Sequence, residues 1–176
     1  MNQILIVDDD PTLVDFLKLL LESEGYETLE AHDGKMAADI LGAHHPALVL
    51  LDYMMPNMDG LDVLKYVTNY HDTSFVVMLT GKGSEQVAVE CMKAGAADYV
   101  VKPFDNDHLL GVIRNVLKVR DAELQKRQLH AELKETNFSL QKYISELEAR
   151  LKKLEEAVDQ EPSEVRERLK RKISSS

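Results

Sequence analysis

Residues 48–60 read Leu48-Val-Leu-Leu-Asp52-Tyr-Met-Met-Pro-Asn-Met-Asp-Gly60, and this stretch is the strongest indication of the fold class. Four large apolar residues in succession are typical of a strand buried on both faces, as in a parallel sheet covered by helices. The run ends on Asp52, and Pro56 and Gly60 then predict a turn. Because open α/β sheets place their ligand crevice at the carboxyl ends of such strands, Asp52 is either a site residue or the cap of the next helix.

Three further apolar runs end on polar residues in the same way. Residues 4–7 lead into Asp8, Asp9 and Asp10, residues 75–79 lead into Thr80, and residues 99–101 lead into Lys102. Asp10 precedes Pro11, which predicts a helix start and leaves Asp8 and Asp9 unexplained. If the strands are parallel neighbours, one sheet edge gathers three carboxylates, a hydroxyl and an ammonium.

The chemistry that fits this cluster is metal-assisted phosphoryl transfer. Clustered carboxylates raise one another's pKa unless a cation lies among them, and Mg²⁺ prefers oxygen ligands. Lys102 and the hydroxyl of Thr80 suit an anion that arrives at Asp52. The cluster therefore predicts a site that accepts a phosphoryl group onto Asp52 by positioning and charge neutralisation, without a general base.

The chain resembles the receiver domain of two-component response regulators over roughly residues 2–120. The matching pieces, in order, are ILIVDDDP, LVLLDYMMPNMDG, VVMLTGKG and GAADYVVKPF. Five predicted strands alternating with five helices are themselves typical of a doubly wound α/β fold. The resemblance implies a flavodoxin-like, doubly wound five-stranded parallel sheet with strand order 2-1-3-4-5. It also implies that a histidine kinase or phosphotransfer protein phosphorylates Asp52 in a Mg²⁺-dependent reaction.

The resemblance implies a role for each site residue. It implies that Mg²⁺ is bound by Asp8, Asp9, Asp52 and the backbone carbonyl of Met54. It implies that Thr80 and Lys102 contact the phosphoryl oxygens, and that the Lys102–Pro103 bond is cis. Tyr99 matches the aromatic position that moves inward when the threonine responds.

Two positions bear on the lifetime of the phosphoryl group. In the family, the residues two beyond the phosphoacceptor and two beyond the threonine influence attack by water, and here they are Met54 and Lys82. Because Met54 cannot orient a water molecule by hydrogen bonding, we expect a phosphoryl group that persists.

The C-terminal third carries a heptad pattern. Leucines occupy the d positions, and the a positions hold a histidine, an asparagine and three apolar residues. The d residues are Leu133, Leu140, Leu147 and Leu154, and the a residues are His130, Asn137, Ile144, Leu151 and Val158. The pattern is typical of a parallel two-stranded coiled coil in which Arg150 meets Glu155 across the seam. We predict a parallel homodimer through 130–158; the alternatives are one solvated helix and a helix packed back on the receiver.

Helix five is expected to begin at Asn106 or Asp107 as its cap and to run on into the coil for about 80 Å. We therefore expect a receiver domain over 2–120, a coiled-coil helix over 121–160, and a basic tail over 161–176 that is a short helix or disordered. Residues 1–120 hold 19 acids and 9 bases, whereas residues 121–176 hold 12 of each. The acidic first segment disfavours nucleic acid as its partner, and the bases before the leucines are too sparse for a basic-region zipper.

The expected function is a signalling switch rather than an enzyme, which relays its state through the coil to an unknown downstream protein. The alternatives are a fragment of a larger response regulator whose enzymatic or DNA-binding output domain is missing, and a DNA-binding regulator that uses the basic tail. A further alternative is a Mg²⁺-dependent phosphatase with Asp52 as nucleophile. Such enzymes generally have a second acid two residues after the nucleophile, and Met54 at that position disfavours this function.

Other features of the sequence narrow the class of protein. The six histidines lack the spacing of metal ligands, and the lone Cys91 excludes an internal disulfide and fits a packed small side chain. The sequence shows no signal-peptide pattern and no apolar run of membrane-spanning length, so we expect a cytoplasmic protein.

Overall fold

The computed structural model describes residues 2–56, 59–71, 73–81, 85–159, 164–165, 167 and 171. Strands and helices alternate along the chain, and the last helix is by far the longest. In order, they are β1 (Gln3–Val7), α1 (Pro11–Ser23), β2 (Glu27–Ala31), α2 (Gly34–Ala43), β3 (Leu48–Asp52), α3 (Gly60–Tyr70), β4 (Phe75–Thr80), α4 (Glu85–Lys93), β5 (Asp98–Val101) and α5 (Asn106–Asp159). Lys82 and most of the basic tail over 161–176 lie outside the described residues.

The strands form a parallel sheet in the order β2-β1-β3-β4-β5. β3 lies at the centre, and its Leu51 is opposite Val7 of β1 and Met78 of β4. The predicted doubly wound fold and its strand order are confirmed. The order reverses direction at β1 and β3, so the carboxyl ends of these strands form the crevice where such folds place their ligands.

Both faces of the sheet are covered by helices, which explains the uninterrupted apolar sequence of β3. Leu48 and Leu50 pack in the core layer with α1 and α5, whereas Val49 and Leu51 pack in the layer with α2, α3 and α4. Side chains alternate across a strand, and all four of these residues are fully buried. The strand that carries Asp52 is therefore held on both faces.

Aspartate side chains cap the first turns of α1, α2, α3 and α5. The side chain of Asp10 accepts a hydrogen bond from the amide of Thr12, as predicted. The prediction that Asn106 or Asp107 caps α5 is wrong, because the carboxylate of Asp105 accepts hydrogen bonds from two amides in the first turn. The cap is the residue just before the first helical one, and from there its side chain reaches the free amides.

The chain divides into two compact units, and the second begins at Lys126. In the first unit α5 packs on the sheet through one face that includes Ile113, Val116 and Leu117. Among the described side chains of α5 from Lys126 onward, Val158 alone is partly buried and the others are exposed. In the described part of the chain, no helix combines the length and the apolar character that a membrane crossing needs.

Candidate functional site

The carboxyl ends of four strands meet at one edge of the sheet and carry the polar residues that the sequence singles out. Asp8 follows β1, Asp52 ends β3, Thr80 ends β4 and Lys102 follows β5. The register keeps these ends level, since Thr80 lies opposite Val101, the residue before Lys102. The predicted gathering of polar groups at this edge is confirmed.

Three carboxylates form the acidic half of the site. Asp8, Asp9 and Asp52 each offer an oxygen atom within 4.8 Å of the others. Asp8 and Asp52 are buried, whereas Asp9 is exposed. The amide of Met54 donates a hydrogen bond of 2.9 Å to Oδ2 of Asp52, so the backbone of Met54 lies beside the acids. Oxygen donors with this much negative charge suit a hard divalent cation such as Mg²⁺.

Lys102 bridges two of the acids. Its Nζ donates to Oδ2 of Asp8 at 2.5 Å and to Oδ1 of Asp52 at 2.6 Å. Burial lowers the pKa of Lys102, but the hydrogen bonds with the two carboxylates outweigh burial and raise it above its ordinary value. The ammonium is therefore held in its charged form between Asp8 and Asp52.

One ammonium does not balance the acids around it. Burial raises the pKa of Asp52 above its ordinary value, and the neighbouring charge of Asp8 acts in the same direction. Lys102 and the amide of Met54 oppose that rise without cancelling it. The site thus has an excess of buried negative charge, which a second cation would relieve.

Thr80 contributes a buried hydroxyl that has no hydrogen-bond partner among the described residues. The residue is 1% exposed, and its Oγ1 is buried and unpaired. Its backbone carbonyl accepts a hydrogen bond of 2.7 Å from the amide of Lys102, which ties the ends of β4 and β5 together. Because buried hydroxyls nearly always have a partner, Oγ1 of Thr80 is available for an oxygen-bearing ligand at this edge.

The loop after Asp52 requires glycine at position 60. A Cβ atom on Gly60 would lie 2.1 Å from the backbone oxygen of Asp52, far inside van der Waals contact. The amide of Gly60 also donates to the carbonyl of Tyr53. The sequence predicts only a turn at Gly60; the close approach to Asp52, which sets the start of α3 against the site, depends on tertiary structure.

Other predicted residues lie at the margin of the site or away from it. Tyr99 is 39% exposed on β5 and lines a groove with residues of α4. The Lys102–Pro103 bond is cis, which confirms the expectation from the resemblance. Cys91 is fully buried, as predicted. Among the described residues, the one cluster of three or more potential metal-binding side chains contains no histidine.

Comparison with known proteins identifies the class to which this fold and site belong. The sequence model of the response regulator receiver domain matches residues 4–114. The chain therefore belongs to the family of response regulator receiver domains. Members of this family are regulatory proteins rather than classical enzymes, Mg²⁺ and phosphorylation are typical of them, and a receiver domain implies a histidine kinase as partner.

The similarity extends to individual relatives and solved structures. The chain is 47% identical over 118 residues to the transcriptional regulatory protein CpxR of Escherichia coli K12, which covers 67% of the chain and 50% of CpxR. It is 36% identical over 131 residues to the transcriptional regulatory protein SrrA of Staphylococcus aureus NCTC 8325, covering 74% of the chain and 54% of SrrA. The chain thus spans about half the length of these relatives.

Among solved structures, the receiver domain of the Francisella response regulator 1452 superposes with a TM-score of 0.63 at 30% identity, covering 67% of this chain and 98% of that one. The family match ends at residue 114, before the heptad region. The similarity therefore supports the site, and the function of α5 beyond the first unit must be argued from its own residues.

Proposed function

We propose that this chain is a phosphoacceptor switch in which Asp52 receives a phosphoryl group from a histidine kinase or phosphotransfer protein. The proposal rests on how the polar side chains at the carboxyl ends of the strands are arranged. Three carboxylates lie within reach of one cation, Lys102 bridges two of them, and the buried hydroxyl of Thr80 lacks a partner among the described residues.

The reaction at Asp52 needs positioning and charge neutralisation. A carboxylate oxygen of Asp52 forms the new O–P bond while the P–N bond to the donor histidine breaks, and the freed imidazole takes up a proton from water. Asp8, Asp9, Asp52 and the carbonyl of Met54 would hold Mg²⁺, which offsets negative charge on the transferring group. Because Asp52 is itself the nucleophile, no general base is required.

Thr80 and Lys102 would bind the phosphoryl oxygens once the group has arrived. Lys102 already lies 2.6 Å from Asp52, and the unpaired Oγ1 of Thr80 would gain an acceptor. A displacement of Thr80 toward the phosphoryl group would leave room for Tyr99 to turn inward from its half-exposed position on β5. Thr80 and Tyr99 are thus the proposed switch residues.

The proposed phosphoryl group persists, because the residue two beyond Asp52 offers no side-chain hydrogen bond to water. Met54 is 74% exposed, so its apolar side chain stands at the open side of the site. The second position that influences hydrolysis, Lys82, lies outside the described residues.

The switch would be read through a parallel homodimer formed by residues 130–158 of α5. The apolar residues of the heptad stripe over 133–154 are between 42% and 66% exposed, and a second copy of the helix would cover them. Arg150 and Glu155 stand at g and e positions, where they would pair across the seam, and Asn137 would set the register. A receiver segment over 2–120, a coil over 121–160 and a tail over 161–176 are the proposed functional divisions. The downstream partner would be a protein that recognises the changed receiver or coil.

The test is acyl phosphate formation followed by solution mass. Labelled donor phosphohistidine with Mg²⁺ should transfer its label to the wild-type chain and not to Asp52→Asn. Light scattering with Mg²⁺, before and after addition of beryllofluoride as a phosphoryl mimic, then shows whether the mimic makes or retains a dimer. Label on Asp52→Asn would overturn the phosphoacceptor assignment, and a monomer under both conditions would overturn the coil.

A second candidate function is direct participation in transcription, because CpxR and SrrA are transcriptional regulators by name. In this chain the bases that could contact nucleic acid are concentrated between residues 166 and 172. Binding to duplex DNA that weakens steeply with salt would support this function. Absence of binding at about 50 mM salt would leave protein contact as the output.

A further inference from the structure

Arg120 occupies the next position on the buried face of α5 after Val116 and Leu117. Its side chain is 14% exposed, although its neighbours Val119 and Asp121 are exposed. A guanidinium that is buried to this degree must find hydrogen-bond acceptors, because the cost of removing its charge from water is high. Arg120 lies six residues before the second unit begins at Lys126.

The acceptor that Arg120 finds is a backbone carbonyl of a different element. Its Nε donates a hydrogen bond of 2.6 Å to the carbonyl of Thr73, in the loop between α3 and β4, and its Nη1 pairs with Asp121 at 2.9 Å. That loop is itself held, because the hydroxyl of Ser74 donates to the carbonyl of Pro46 in a buried hydrogen bond of 2.7 Å. A charged donor makes such a bond about twice as strong as a neutral one.

β4 connects this contact to the candidate site. The strand begins at Phe75, two residues after Thr73, and ends at Thr80, whose buried hydroxyl has no partner in the described part of the chain. It is paired with β3 from Phe75 to Leu79 and with β5 from Val77 to Thr80. A short strand held on both sides in a close-packed core transmits a displacement from one end to the other.

The bond from Arg120 differs in kind from most of the contacts that hold α5 in the first unit. Those contacts are largely apolar side chains such as Ile113 and Leu117, and apolar packing has no preferred direction. A hydrogen bond has one acceptor and a required angle. Arg120 therefore adds to the apolar packing of α5 a directional bond to the loop at the amino-terminal end of β4.

We infer that Arg120 is a positioning residue for the relay, because it ties α5 to the end of β4 opposite Thr80 and so passes a change at the site into the helix beyond Lys126. The inference rests on the proposed function, since it concerns how the state of Asp52 reaches the coil. The hydrogen bond from Arg120 to Thr73 is the contact by which the receiver controls the coil.

The test is amide hydrogen exchange of the full chain in Mg²⁺, with and without beryllofluoride. Exchange near Asp52 and Gly60 reports binding of the mimic, and exchange over 126–140 reports the relay. Arg120→Met keeps the stem of the side chain and removes its donors. The matched control is Arg114→Met, the same substitution on the same helix, at a side chain that is 49% exposed and forms a 3.6 Å ion pair with Glu24.

In the wild type and in Arg114→Met, the mimic should change exchange near Asp52 and should change exchange over 126–140 about fivefold or more, the usual scale of coupling between sites. In Arg120→Met the change near Asp52 should remain and the change over 126–140 should vanish. If Arg120→Met does not fold, Arg120→Lys decides by the same criterion, because lysine keeps the charge and cannot place a donor where Nε lies.

The outcomes separate this inference from the function on which it rests. A wild type that shows no change near Asp52 overturns the proposed function, and the inference with it. A wild type that responds near Asp52 but not over 126–140 overturns the relay and the role of Arg120. An Arg120→Met chain that responds in both regions overturns the inference alone and leaves the phosphoacceptor switch in place.

Discussion

The apolar residues of β3, in the first unit, and those of α5 beyond Lys126 differ in how far they are exposed to solvent. In β3 the three leucines and Val49 are fully buried, whereas the apolar residues of the heptad stripe in α5, from Leu133 to Leu154, are between 42% and 66% exposed. Both segments are rich in leucine, so composition does not separate them. The spacing does, because an unbroken run fits a doubly covered strand and a seven-residue repeat fits a seam between helices.

The difference indicates where each segment obtains its stability. The first unit gains free energy by burying side chains against its own helices, and this gain is independent of protein concentration. Most helical stability in proteins comes from the packing of an apolar face, so the exposed stripe of α5 would gain most from the second chain of the proposed dimer. The stability of the stripe should therefore depend on protein concentration, whereas that of the first unit should not.

The largest expected effect is the loss of a fully buried side chain from the sheet. Leu50→Ala should lower the free energy of unfolding of the first unit by about 2–5 kcal/mol, through lost burial and the cavity that remains. Urea denaturation at several protein concentrations measures the loss. The matched substitution Leu140→Ala should change the unfolding of the first unit by less than about 0.5 kcal/mol; equal losses in the two variants would contradict the division into two units.

A smaller effect is expected for a substitution in the heptad stripe of α5, where the partner of each apolar side chain would be a second chain. Leu147→Ala should weaken the proposed dimer at least tenfold, or about 1.4 kcal/mol, because a side chain at a d position would pack into the partner helix. Sedimentation over a range of concentrations measures the dissociation constant. Phe138→Ala is the control, since Phe138 is 71% exposed and stands outside the a and d positions; a weakening as large as that of Leu147→Ala would contradict the heptad assignment.

Mg²⁺ should stabilise the first unit and should not change the stability of α5 beyond Lys126. At ten times its dissociation constant, a cation that binds only the folded state adds roughly 1.4 kcal/mol, and thermal unfolding followed by circular dichroism measures the shift. In Asp52→Asn most of that gain should vanish, because one of the three carboxylates is gone. The same variant should be more stable than the wild type without Mg²⁺ at neutral pH. The raised pKa of Asp52 means that its ionised form costs folding free energy at every pH above the folded-state pKa. Equal stabilisation by Mg²⁺ in both chains would refute the metal assignment.

The smallest effect concerns His71, at the carboxyl end of α3. Burial lowers the pKa of His71 below its ordinary value of 6.5, and the neighbouring His45 adds to the effect. The unfolded chain therefore binds a proton more readily than the folded chain, so the stability of the first unit should fall as the pH falls from about 6.5 toward the folded-state pKa. His71→Gln should flatten this part of the curve, whereas His108→Gln, at an exposed position, should leave it unchanged. Unfolding curves of the three chains, measured between pH 5 and 8, test this prediction.

Patterns between neighbours in the chain were enough to predict much of the molecule. The unbroken apolar run at Leu48 predicted a doubly buried strand, and the pairing of Asp10 with Pro11 predicted a helix start; both predictions are confirmed. The strand ends at Asp8, Asp52, Thr80 and Lys102 were predicted to share an edge, because parallel strands bring their carboxyl ends together. These inferences succeed because they depend on local spacing and on the few ways in which parallel strands are arranged.

Tertiary structure alone decided the contacts that give those groups their chemistry. Lys102 reaches Asp8 across 94 positions and Asp52 across 50, and no local pattern indicates that one ammonium bridges both acids. The bond from Arg120 to Thr73 and the close approach of Gly60 to Asp52 were likewise not predictable. Such contacts depend on strand register and helix packing, which the whole core determines. A shift of one residue in strand register would move these side chains to the other face of the sheet and separate them.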